Sequence, residues 1–251
     1  MTDLLERAKA LKLHGVIAHW DDVVNQPWLN EFISWEEAIR SHRSLERRLK
    51  QAHIGCFKPI ANFDWSWPTS CDRELIEEVI KLNFIKENCN IIFCGPNGIG
   101  KTMIARNIAH QTVLAGYSVL FTTAGQMLND LTSQDGDNAL RRRIKFYTQP
   151  VLLCVDEIGY LSYSNRHADL LFEIISRRYE TKSTLITTNK PFTEWKEMFP
   201  NVSCVVSLID RLIHKAEIIS IEGPSYRLKE SEERRLEQQK KRKPKNQKEK
   251  I

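Results

Sequence analysis

From about residue 90 the chain alternates short apolar runs with longer segments whose apolar residues recur every three or four positions. The runs Ile91–Cys94, Val119–Thr122, Val151–Val155, Leu185–Thr188 and Glu217–Ile221 have the length and β-branched content of buried strands. Between and around them, about 101–115, 124–132, 137–147, 166–180 and 203–214 read as helices. Strands that take turns with helices predict an α/β fold: a five-stranded parallel sheet flanked by helices.

Ahead of this region the period is helical up to about residue 60. Ser34-Trp35-Glu36-Glu37 reads as a capping box, with Trp35, Ile39, His42, Leu45, Leu49 and Ala52 as the apolar stripe behind it. The opposite face carries Arg40, Arg43, Arg47, Arg48 and Lys50. The aromatic stretch Phe63-Asp64-Trp65-Ser66-Trp67-Pro68 reads as a linker, and residues 72–85 as a further amphipathic helix. The expected division is a small helical N-terminal domain over 1–68, an α/β domain over 69–228 and a tail over 229–251.

Composition narrows the class. At 251 residues and 41% hydrophobic content the chain can bury an ordinary core, and no apolar run has the length of a membrane span. The start lacks the basic-then-apolar layout of a signal peptide. Cys56, Cys71, Cys89, Cys94, Cys154 and Cys204 form no C-x-x-C pair, which fits reduced thiols and a cytoplasmic location. The tail holds ten basic and five acidic residues and so carries the whole net charge of +5. Such a tail is expected to be disordered, either touching nucleic-acid phosphates or simply solvated.

Candidate chemistry starts at Gly95-Pro96-Asn97-Gly98-Ile99-Gly100-Lys101-Thr102, which spells G-x-x-x-x-G-K-[ST] between an expected strand and an expected helix. The glycines let successive backbone N–H groups turn inward, and the helix start adds its positive dipole end. Lys101 can reach the β- and γ-phosphates of a nucleoside triphosphate, and the Thr102 hydroxyl can hold Mg²⁺. About 55 residues on, the third strand ends in Asp156-Glu157. Asp156 suits the Mg²⁺ shell, and Glu157 suits orienting and deprotonating a water, which favours hydrolysis over transfer. The next strand ends Thr187-Thr188-Asn189. Asn189 either holds the nucleophilic water against the γ-phosphate or marks the turn that Asn-Lys-Pro would make anyway.

With these motifs in order, the chain resembles AAA+ ATPases of the initiator and helicase-loader branch. It is similar, more closely, to the IstB family, the ATPase helpers of insertion-sequence transposons. The likeness spans roughly residues 5–235. Its carriers include Asp156-Glu157-Ile158-Gly159-Tyr160-Leu161, Ala168-Asp169-Leu170-Leu171-Phe172, Arg177-Arg178-Tyr179-Glu180, Phe199-Pro200, Asp210-Arg211-Leu212-Ile213-His214 and Glu222-Gly223-Pro224-Ser225-Tyr226-Arg227.

The resemblance implies an AAA+ P-loop NTPase domain that uses ATP and Mg²⁺. It implies Arg211 as an arginine finger reaching a neighbouring copy and Arg227 as a γ-phosphate contact in its own subunit; spacing alone leaves each open between that role and a surface ion pair. It also implies a homo-oligomer assembling on duplex DNA in the ATP state and presenting that DNA to a partner transposase, with no membrane role. A helicase loader of the DnaC type is the alternative. For DNA contact the candidates are Arg141, Arg142, Arg143 and Lys145, of which a helix can aim at most two at the phosphates, and the basic helix near Arg47 and Arg48.

Overall fold

The computed structural model describes residues 2–159, 163–199 and 202–242. Tyr160, Leu161 and Pro200, which the resemblance uses, and the tail beyond Arg242 lie outside the described residues. The chain divides into two compact units between Gln51 and Ala52.

The first unit is helical: α1 (Thr2–Ala10), α2 (His14–Ala18), α3 (Trp20–Val23) and α4 (Leu29–Ala52). Ala8 and Leu11 bury against Leu29 and Ile33, with Leu4, Val16, Ile17 and Phe32 around them. Arg7 of α1 grips α4 by two hydrogen bonds to Glu37 (2.9 and 2.7 Å) and one each to Asn30 and Ser34. This corrects the expected capping box. The helix starts at Leu29, just after Pro27, where a missing N–H costs nothing, and Ser34 lies inside it donating to the Asn30 carbonyl (2.9 Å). The apolar stripe also turns over: Trp35 and Ile39 are 61% and 51% exposed, because Leu29 and Ile33 supply the face that α1 covers.

The second unit is built on a sheet. Its elements run β1 (Ser70–Cys71), α5 (Arg73–Ile80), α6 (Asn83–Lys86), β2 (Asn90–Cys94), α7 (Lys101–Leu114), β3 (Val119–Thr123), α8 (Ala124–Thr132) and α9 (Asp137–Thr148). There follow β4 (Leu152–Ile158), α10 (Asn165–Arg178), β5 (Ser183–Thr188), α11 (Phe192–Met198), α12 (Val202–Ile213), β6 (Ala216–Glu222) and α13 (Tyr226–Arg242). The strand order is β1-β6-β2-β5-β4-β3. All five expected strands are present and parallel, but the sheet is mixed and six-stranded: β1 pairs antiparallel with β6, Ser70 opposite Glu222. Two residues are too short a strand to show a period, so nothing in the sequence pattern announces β1.

Strands β2, β4, β5 and the last, β6, all end on the same edge, and the chain's jump from β5 across β2 to β6 makes that edge a crevice at the switch of strand order. Behind it, the starts of β4 and β5 are pinned by one side chain. Arg178, 1% exposed, donates to the carbonyls of Thr148, Pro150, Val151 and Ser183 and to the Thr184 hydroxyl. Burial without a carboxylate partner pulls its guanidinium pKa down to about 9.

The expected disordered tail is corrected as far as Arg242. Residues 226–242 are one helix, with no Gly or Pro to break it, and its first turn is held by Lys58–Glu230 (2.8 Å) and Lys229–Asp64 (3.2 Å) ion pairs. Low hydrophobicity reported the lack of a core beneath this segment rather than a lack of helix. Leu228 and Leu236 stay 64% and 56% exposed.

Candidate functional site

A cavity of about 310 Å³ opens at the strand-end edge. Its floor is the phosphate loop between β2 and α7, where Gly95, Gly98 and Gly100 take φ of 152°, 78° and 106°. Beyond conformation, space forbids a side chain at all three, most severely at Gly95, where a Cβ would stand 2.0 Å from the Ile221 carbonyl oxygen. A Cβ on Gly98 would stand 2.2 Å from Ser225 Oγ, and one on Gly100 would stand 2.4 Å from the Phe63 ring. Gly100 is also the residue before the first turn of α7, so the loop delivers Lys101 and Thr102 straight onto a helix start. Lys101 is 8% exposed, with Nζ donating to the carbonyls of Gly95 (2.6 Å) and Pro96 (2.7 Å). Burial holds its ammonium pKa below the usual lysine range.

Asp156, 3% exposed, faces this loop from β4: Thr102 Oγ1 donates to Asp156 Oδ1 at 3.0 Å. Thr187 Oγ1 donates to the same carboxylate oxygen and accepts the Glu157 N–H at 2.9 Å. Glu157 follows with its backbone in the left-handed region (φ 63°) and its side chain exposed on the cavity wall. Pairing of β4 with β5 shifts register here, passing from Val155↔Ile186 to Ile158↔Thr188.

Asn189 also lines the cavity, and both sequence readings of it describe the same residue. Thr188 Oγ1 accepts the Lys190 N–H (3.1 Å) and donates to the Lys190 carbonyl (3.0 Å), closing a turn around it. Its Oδ1 is buried and, among the described residues, finds no hydrogen-bond partner, beside Gly159, whose Cβ would come within 2.7 Å. An orphaned polar atom next to a lysine, a buried carboxylate and a ring of loop N–H groups is what a bound polyphosphate with its water would complete.

Of the expected residues, Asn97, Gly98, Ile99, Gly100, Lys101, Thr102, Glu157, Asn189 and Arg227 line the cavity. Gly95 and Pro96 lie under Lys101, and Asp156 beside Thr102. Arg211 does not join them. It sits on α12 with its guanidinium 4.5 Å from the Phe172 ring centre and a hydrogen bond to Ser176 of α10. Arg141, Arg142 and Lys145 are exposed on α9, and Arg47 on α4. Arg48 donates to Ser44 Oγ at 2.7 Å. Arg143 is committed locally: it pairs with Asp130 of α8 and lies 4.2 Å from the Phe146 ring centre, while Tyr147 donates to the same Asp130 at 2.6 Å.

The segment expected as a linker lines the cavity too, with Lys58, Asn62, Phe63, Asp64, Trp67 and Pro68 joining Tyr226 and Glu230 in its wall. Trp67 Nε1 donates to the Pro224 carbonyl (2.8 Å), its ring meets Tyr226 edge-on at 5.8 Å, and the Tyr226 N–H donates to the Gly98 carbonyl (2.9 Å). Three aromatics in five residues were the available signal, since a solvated linker has no use for them. Thr187 carried no sequence signal beyond being a β-branched residue in a strand.

Among proteins of known families, the model of the IstB-like ATP binding proteins matches residues 6–234. The chain belongs to that family. A relative in Pseudomonas aeruginosa, named as an ATP-binding protein of insertion sequence IS21, is 37% identical over 76% of this chain and 72% of its own. Another, named for insertion sequence IS5376 in Geobacillus stearothermophilus, is 36% identical over 85% and 84%. Among solved structures, DnaI matches this IstB-like chain with a TM-score of 0.54 at 18% identity, covering 66% of this chain and 89% of DnaI. AMPPCP-bound DnaA of Aquifex aeolicus gives 0.50 at 19% identity, over 65% and 50%. At such identities the likeness concerns the fold alone. Among the described residues of this IstB-like chain, no helix is long and apolar enough to cross a membrane.

Proposed function

We propose that this chain is an ATPase that serves a transposase as its DNA-handling helper. The observation that carries the reading is the convergence of Lys101, the Thr102–Asp156 pair, Glu157 and the partnerless oxygen of Asn189 on one cavity at the strand ends. In it the loop N–H groups and Lys101 hold the triphosphate. Thr102 and Asp156 hold Mg²⁺, which neutralises charge on the β- and γ-oxygens when bound. Glu157 takes a proton from the attacking water, Asn189 orients that water, and Arg227 faces the γ-phosphate from the start of α13. Trp67 and Tyr226 line the same cavity and offer the aromatic surface on which the base stacks.

Arg211 lies outside this cavity, part-buried on α12 against Phe172 and Ser176, and its absence from its own copy's site supports its use as a finger in a neighbouring copy's. Hydrolysis then depends on assembly, so ATP times the life of a homo-oligomer on duplex DNA. Relatives named for insertion sequences support a transposase as the partner that receives that DNA. The test pairs turnover with retention. Glu157→Gln should bind ATP normally, hydrolyse it roughly a hundredfold or more slowly, and stay on duplex DNA and on the cognate transposase when ATP is supplied. Rapid turnover by that variant would remove Glu157 from its role, and a wild-type protein that ignores both DNA and transposase would overturn the helper reading.

A further inference from the structure

Nothing in the motif pattern singles out Thr187, yet its hydroxyl stands at the mechanical centre of the acidic pair. Strand β4 places two residues, Asp156 and Glu157, against the single residue Thr187 of β5, so the ladder bulges there. A bulge leaves its extra N–H without a ladder partner, and here the Glu157 N–H goes to Thr187 Oγ1 instead (2.9 Å). The same oxygen gives its own hydrogen to Asp156 Oδ1, the atom that also takes the Thr102 hydroxyl. Thr187 is 1% exposed, so no water competes for either bond. One hydroxyl, donating once and accepting once, therefore fixes the Asp156 carboxylate and the backbone of Glu157 together. Glu157 needs the help: at φ 63° it occupies a region that a residue with a Cβ adopts only under constraint.

We propose that Thr187 is a positioning residue of the hydrolytic site. Its hydroxyl holds the bulge that sends Asp156 inward to Thr102 and Glu157 outward into the cavity. This rests on the reading of the site as an ATPase. The bland alternative is that Thr187 merely fills a buried strand position with a β-branched side chain. The two differ in sign for two small substitutions. Thr187→Val keeps the shape and the strand preference but deletes both hydrogen bonds. Thr187→Ser keeps both bonds but loses the methyl.

The experiment compares full-length wild type, Thr187→Val and Thr187→Ser in steady-state ATP turnover, in titration with a fluorescent ATP analogue, and in thermal melting. Thr187→Val is expected to lose turnover by roughly tenfold to a hundredfold, as for a small misplacement of a reacting group, while its nucleotide Kd stays close to wild type and its melting temperature falls by only about a few degrees, the cost of the unpaired Glu157 N–H. Thr187→Ser is expected to recover most of the turnover that Val loses. Turnover by Thr187→Val equal to wild type, with Thr187→Ser the weaker of the two, overturns the proposal in favour of strand filling. So does a loss in Thr187→Val matched by an equal loss of ATP affinity. A wild type with no turnover at all, with or without DNA, instead overturns the ATPase reading and takes this role down with it.

Discussion

The ammonium of Lys229 stands 3.2 Å from the carboxylate of Asp64, joining the first turn of the last helix to a segment 165 residues earlier. Lys229 Nζ also lies 4.4 Å from the Trp67 ring centre, so one side chain ties charge and aromatic surface together over the cavity wall. The Ser66 hydroxyl, and after it Lys229, hold the Asp64 carboxyl below the usual carboxylate range. The folded state thus binds fewer protons here than the unfolded chain. The pair's contribution is complete above the unfolded carboxylate pKa and fades as pH falls through the lower folded value. Asp64→Asn should therefore melt below wild type at neutral pH and converge with it in acid, measured by thermal melts across pH. Equal melting at every pH would show the pair contributes nothing.

Trp67 offers a second check on the same wall. Trp67→Ala removes the ring that meets Tyr226 and should weaken ATP binding by about 0.5–1.5 kcal/mol, roughly twofold to tenfold in Kd, with less effect on turnover at saturation. Calorimetric titration with ATP and with inorganic triphosphate separates the effects: only ATP should bind less tightly.

Arg211 and Glu157 should complement each other across subunits. Alone, Arg211→Ala and Glu157→Gln proteins are each expected to be inactive, the former by roughly a thousandfold or more. Mixed, they should regain part of the turnover, because some interfaces pair an intact Glu157 with an intact Arg211. A mixture as inactive as its parts would place Arg211 in its own subunit's chemistry or in none.

The basic residues of α9 should divide by their present contacts. Arg142→Glu is expected to weaken duplex DNA binding and to reduce the salt slope by about 1, as loss of a phosphate contact does. Arg143→Ala should instead cost about 1 kcal/mol or less of stability, through Asp130 and Phe146, and leave the slope unchanged. Arg47→Glu provides the matching test on α4. DNA titrations at several salt concentrations, beside urea melts, distinguish these outcomes.

Arg178→Met should be the most damaging of the substitutions considered. It removes the donor shared by five backbone carbonyls, those of Tyr147, Thr148, Pro150, Val151 and Ser183, around the starts of β4 and β5, and about 3 kcal/mol or more of stability should go with it. Urea unfolding measures this directly; a loss under about 1 kcal/mol would mean that neighbouring groups or water take over.

Strands β2, β3, β4 and β5 were legible because nearly every residue in them is buried and β-branched or apolar. Strand β6 showed itself by alternation, with Ile219 and Ile221 buried between exposed Ile218, Ser220 and Glu222. The phosphate loop was legible because its glycines and lysine answer to a ligand rather than to the rest of the chain. What escaped was set by distant partners. Leu29 and Ile33, not Trp35 and Ile39, meet Ala8 and Leu11, and helical spacing cannot say which of two apolar stripes has a neighbour waiting. Phe63 and Trp67 looked like a linker because their partners, Gly100, Pro224 and Tyr226, are far away in sequence. The 226–242 helix escaped for the same reason, since Lys58 and Asp64 hold its first turn.

The phosphate loop leans on the far end of its own unit. A side chain on Gly95 would strike the Ile221 carbonyl, Gly98 backs onto Ser225, and Tyr226 is bonded to the Gly98 carbonyl. During synthesis the whole G-x-x-x-x-G-K-T motif emerges more than a hundred residues before the wall it packs against. A product cut short ahead of residue 221 would carry the whole phosphate loop with Asp156, Glu157 and Asn189, lack Arg227, and present that loop open and unsupported. Nucleotide uptake thereby becomes a late event in folding, and a measure of whether β6 has been made and docked.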